Sequence, residues 1–276
     1  MNRAIFVTLL VCACDPPKMM MPAGSPPVYV QPNALDASTK RPANFSCLGK
    51  RVDPAAPTAP TAIEVLVQDF EKETPVEGAT VEVYLSLAKV NARTPDATST
   101  RTDKMGKAML TVPPGSYRVI FRTFGAPKTI ETLEFNRKFD DTKRYSVSET
   151  TKETIQAVLS IFPDETLGVV AGALRDCDGL DTGAVVLETT STGGSFDNKS
   201  NTFYFDETTT GPVPVRGFKW AGANGVFASV NVPPGDATLT VRGVLSEGAE
   251  ASVLSRGTAP LRASSITVVQ MEPLGP

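Results

Sequence analysis

The sequence predicts an all-β protein: two tandem antiparallel β-sandwich domains with one short helix between them. Three observations predict it. Apolar and polar residues alternate over short runs, as in Ile63, Val65, Val67 and in Ala79, Val81, Val83, Leu85, which is the period of a half-buried strand. The 276 residues include 23 Pro and 21 Gly, so turns are many. A set of turn and strand signals also occurs twice in the same order beyond Pro60, as a repeated unit would.

The chain opens with Arg3 and a short apolar run from Ala4 to Val11. The run is too short to span a bilayer and has the form of an export signal. Val11-Cys12-Ala13-Cys14 resembles the bacterial lipobox, with an aliphatic residue at −3 and a small one at −1. Residues 1–13 are therefore expected to be a lipoprotein signal peptide, and Cys14 the lipidated residue that anchors the protein in the bacterial cell envelope. An ordinary secretory signal cut nearby is the alternative. Residues 14–60 hold ten prolines. Proline removes backbone donors and favours extended conformations, so this stretch is expected to be a semi-rigid spacer.

Two domains are expected to follow, at 61–162 and 163–276. In the first, a strand leads through a turn into Pro75-Val76-Glu77-Gly78-Ala79. Then come Thr102-Asp103, Gly106, and Val112-Pro113-Pro114-Gly115-Ser116-Tyr117. In the second, Thr182-Gly183-Ala184 answers the first turn, and Asn224-Gly225 through Val232-Pro233-Pro234-Gly235 answers the later block. The second copy lacks the turn proline and has Ala237 in place of the tyrosine. These motifs resemble the carboxypeptidase regulatory-like family. That resemblance implies a small antiparallel sandwich of transthyretin (prealbumin) type, Ig-like in outline, in modules that bind, space or stabilise. The motifs are turn chemistry, so they speak to fold more than to function. Between the copies, Thr150-Thr151-Lys152-Glu153 has the form of a capping box. Ile155, Val158, Leu159 and Phe162 follow it at helical spacing, before Pro163.

Composition excludes several kinds of chemistry. The chain has no histidine, which removes His-based triads and most zinc or iron sites. Its net charge of −3 argues against nucleic-acid binding. No Ser-x-x-Lys or Gly-x-Ser-x-Gly run supports a Ser or Lys catalyst. No enzyme, cofactor or metal site is expected. Asp176, Asp178 and Asp181 crowd one turn, but the full spacing of a calcium loop is missing, so a polar turn is expected there. Residues 163–276 carry 13 acidic against 7 basic side chains, which makes the second domain the acidic one.

Cys47 and Cys177 remain once Cys14 is lipidated. An exported chain meets an oxidising compartment, so these two are expected to pair. The long insert at 188–222 is a candidate binding loop, and its aromatic residues Phe203, Phe218 and Trp220 are a candidate binding surface. The function expected from all this is a lipid-anchored envelope protein presenting two sandwich modules for structural or binding roles. Its partners would be the membrane, through the lipid, and an envelope protein or polysaccharide. The alternative is a carrier of a small apolar ligand; a His-free hydrolase ranks last.

Overall fold

The computed structural model describes residues 43–275 apart from 71, 162–163, 209–210, 216–217, 223 and 246–248. The side chains of 154, 156–158 and 206–213 are outside that description as well. The signal peptide, Cys14 and the first part of the expected spacer lie outside the described residues, as do Phe162 and Pro163.

The first module runs through β1 (Thr61–Asp69), β2 (Thr80–Tyr84), α1 (Leu87–Ala92), β3 (Ala97–Thr98), β4 (Lys107–Val112), β5 (Arg118–Phe124), β6 (Thr129–Ile130), β7 (Thr132–Lys138) and β8 (Lys143–Ser148). After α2 (Glu149–Leu159), the second module runs through β9 (Gly168–Leu174), β10 (Val186–Ser191) and α3 (Asn198–Asn201). It continues with β11 (Thr202–Thr208), β12 (Gly211–Val215), β13 (Val226–Val232), β14 (Gly235–Gly243), β15 (Ser252–Leu261) and β16 (Ile266–Met271).

Strand order confirms the repeat. In the first module β4-β1-β8 packs against β7-β5-β2-β3; in the second, β13-β9-β16 packs against β10-β14-β15. In each, the first strand pairs antiparallel on one side and parallel with the last strand on the other. Within each module the pairing is thus mixed, because first and last strands lie side by side in the same direction. Alternation in β4 gives a clean exposed–buried pattern, and Val65, Val67, Val81, Val83 and Phe121 fill the core between the sheets. The repeated glycines have the same job. Gly106 (φ +73°) and Gly225 (φ +65°) sit in left-handed turns where a Cβ would come within 2.5 Å of Val67 O and 2.4 Å of Thr182 O respectively.

The helix between the modules begins earlier than the sequence predicts. Ser148 Oγ accepts the Thr151 amide at 3.0 Å, so Ser148 caps the helix rather than Thr150. Leu159 is fully buried and packs with Ile155, Phe203 and Val230, so the helix covers the second module.

One feature departs from two separate beads. β16 lies between β9 of its own module and β7 of the first, parallel to both, with Ile266 to Val269 opposite Thr132 to Phe135. The result is one nine-stranded sheet, β12-β11-β13-β9-β16-β7-β5-β2-β3, running through both modules.

Candidate functional site

The junction around β7 and β16 holds a network of partly buried charges that links the two modules. Glu131, just ahead of β7, accepts from Arg122 Nη2 at 2.8 Å and from Arg262 Nη1 at 2.8 Å. Arg122 also reaches Glu82 at 2.9 Å, and Glu82 accepts the Tyr84 hydroxyl at 2.5 Å. Arg262 donates to the Val90 carbonyl on α1, so the chain of charges stitches the modules together. Burial alone would raise the Glu131 carboxyl, but the two guanidinium groups outweigh it and hold it below its ordinary value. Burial, helped by Glu82, pushes the Tyr84 phenol up to about 12.

The residues ahead of the first module complete this junction. The sequence predicts a spacer through residue 60, whereas the described end of that stretch, 43–60, is bound to the body as a strap. Cys47 and Cys177 form a disulfide with Cα atoms 5.8 Å apart, as the sequence predicts. Asn44 N–H donates to Asp176 Oδ2 at 2.9 Å, and Cys177 N–H donates to the Asn44 carbonyl at 2.8 Å. Phe45 and Leu48 pack against the second module's core. The strap then crosses to the first module. Arg51 meets Glu272 at 2.6 Å, and Asp53 takes a two-pronged contact from Arg118 Nε and Nη2, both at 2.7 Å. Arg118 also reaches Glu272 at 2.6 Å. The hydrogen bond from Arg118 holds the Asp53 carboxyl below its ordinary value. Proline richness reads as spacer, but two apolar side chains and two charges were enough to bind this segment down.

A pocket of about 200 Å³ opens beside the strap. Phe135, Met271 and Gly257 supply apolar wall, while Arg51, Arg118 and Glu272 supply charge already engaged in ion pairs. The Asp176 turn is spent on structure: its carboxylate accepts the Asn44, Asp178 and Leu180 amides, and Asp181 pairs with Arg175. Among the described residues no group of three or more His, Cys, Asp or Glu is placed to hold a metal ion.

The three candidate aromatics separate. Phe203 does not belong to a surface: it is 6% exposed on β11, packed under α2. Phe218 is 38% exposed, and Trp220 is half-buried. β11 is covered on both faces, with Phe203 toward α2 and Tyr204 in the core between the sheets, and this is why three aromatics stand there in a row. Sequence reasoning missed Arg51, Arg118, Glu131, Arg262 and Glu272, which are isolated charges with no local motif.

No family model matches the chain, and no curated protein does. Similar solved structures include the Bacillus anthracis TIE protein, at 10% identity over 78% of this chain with a TM-score of 0.24. The chain spans 34% of the length of that protein. The shaft pilin SpaA from Lactobacillus rhamnosus GG is 10% identical over 79% of this chain and 99% of its own, with a TM-score of 0.23. GBS52, the minor pilin of Streptococcus agalactiae, is 13% identical over 77% and 96%, also at 0.23. With TM-scores this low, the all-β sandwich assignment rests on the strand order given above.

Proposed function

We propose that this is an envelope protein, anchored through a lipid on Cys14, whose body is a stiff two-module arm that presents a surface for structural or binding roles. The observation that carries the reading is the nine-stranded sheet through both modules. Modules joined only by a linker pivot, whereas a shared ladder, a disulfide and a charged strap fix one relative placement. The carrier alternative gains little support. The junction pocket is small and charged, unlike the larger apolar cavities that enclose such ligands.

Two measurements test the proposal. Spin labels at Met105 in the first module and Phe218 in the second should give a single narrow distance distribution; a broad one would refute the stiff arm. Cys14→Ser should move the protein out of the detergent phase with loss of acyl mass. Retention there with unchanged mass would refute the anchor.

A further inference from the structure

The free edges of the sheets differ in how they are closed. β3 and β6 are two residues long. β12 carries Pro212 and Pro214 at alternate positions, which strips donors from that edge. On β10, Thr189 N–H and C=O are both held by the Asn198 carboxamide, at 2.6 and 2.8 Å, and Leu187 N–H is held by the Tyr204 hydroxyl at 2.9 Å. The equivalent of β4 in the second module, β13, is covered by β11. Among the described residues, β4 itself has no strand beyond it.

Register shows which groups are open. Val67 N–H bonds Gly106 O on the β4 side, and Leu66 N–H bonds Thr142 O on the β8 side. Residues opposite Ile63 and Val65, namely Leu110 and Ala108, therefore bond inward to β1. Lys107, Met109 and Thr111 point their backbone groups outward. Asp103 closes both groups of Lys107, at 2.9 and 3.0 Å. Among the described residues, nothing bonds the outward groups of Met109 and Thr111. The Lys107 ammonium, which would otherwise guard the edge, is paired with Glu64 at 2.7 Å. Met109 is 56% exposed.

We propose that β4 docks the same strand of a second copy, antiparallel about a twofold axis at Leu110. The edge is self-complementary in that register. Met109 faces the partner's Thr111 and Thr111 the partner's Met109, and each of these pairs exchanges both N–H···O bonds. The next pair outward sets Lys107, already closed by Asp103, against the partner's Pro113, which has no N–H. Both ends of the ladder therefore stop at the same step, and no donor is left open between them. Two four-stranded sheets would merge into one of eight. The contact is far smaller than a standard interface, so the dimer is weak and forms at high concentration. This inference rests on strand geometry and does not need the anchor.

The test uses the chain from Asp15 onward, which keeps every described element. Sedimentation velocity should show dimer growing with concentration up to about 1 mM. Met109→Pro removes a donor only from the open edge, and it should be monomeric with an unchanged far-ultraviolet spectrum. A mixture of Met109→Cys and Thr111→Cys should cross-link under mild oxidant in large excess over either variant alone. Paired Cα atoms lie about 5.5 Å apart, while like residues are separated by roughly 8 Å, beyond disulfide reach. A wild-type chain that stays monomeric throughout would overturn the proposal. So would a folded Met109→Pro that still dimerises, or cross-linking no better in the mixture than in the single variants.

Discussion

Replacing Cys47 and Cys177 by Ser tests whether the strap belongs to the body. The bond closes a loop of 130 residues. In the chain-entropy account, opening such a loop frees the denatured ensemble by about 5 kcal/mol, an upper figure because a real denatured chain is already compact. The native state should change little. Asn44 still bonds Asp176, Arg51 still meets Glu272, Asp53 still meets Arg118, and Phe45 and Leu48 still pack on the second core. The loss should therefore appear as a lower urea midpoint with unaltered native spectra and a somewhat larger denaturant slope, since the unlinked chain exposes more surface. Trp220, the single tryptophan, reports the second module, while circular dichroism reports both. The shared sheet requires the two transitions to coincide. A loss under about 1 kcal/mol, or a Trp220 transition well separated from the circular dichroism one, would refute the reasoning.

Acid should act through the junction. Asp53 and Glu131 hold their protons less readily folded than unfolded. The unfolded chain therefore binds more protons as pH falls past their ordinary values, 3.8 for Asp53 and 4.5 for Glu131. The melting temperature should be flat above that window and fall below it. Asp53→Asn with Glu131→Gln should lower the plateau and weaken the slope, and an unchanged slope would count against these two carboxylates. In the first module's core, Arg144 is fully buried above the Phe121 ring at 3.9 Å and pairs with the buried Glu134 at 3.3 Å. Glu134→Leu alone should cost about 3–5 kcal/mol in urea unfolding, because a buried guanidinium loses its main counter-charge. Adding Arg144→Met should recover most of that, and a double variant as unstable as the single one would show the pair to be a net stabiliser.

The strands and their repeat were legible because their signals are local. Alternation in β1, β2 and β4 and the glycines at 106 and 225 act within a few residues. The disulfide was legible from the cysteine count together with the expectation of export read from the first residues. The junction was not. The pairing of β7 with β16 joins residues more than 130 apart in sequence, and period-two alternation says nothing about which strand lies alongside. Arg51, Asp53, Arg118 and Glu272 read singly as solvated charges, and only the fold makes them neighbours. Phe203 misled for a related reason. A strand covered on both faces loses its alternation, and its consecutive aromatics then look like an exposed cluster.

The disulfide also decides how tension would travel through the chain. All of the first module lies between residues 47 and 177, inside the covalent loop. A load applied between the segment ahead of Cys47 and the C-terminus passes from sulfur to sulfur and enters the second module at its first turn. The covalent chain of the first module carries none of that load, which reaches the module only through the ladder between β7 and β16. A reductant would open the covalent bypass and put the full force on the first module's own chain as well.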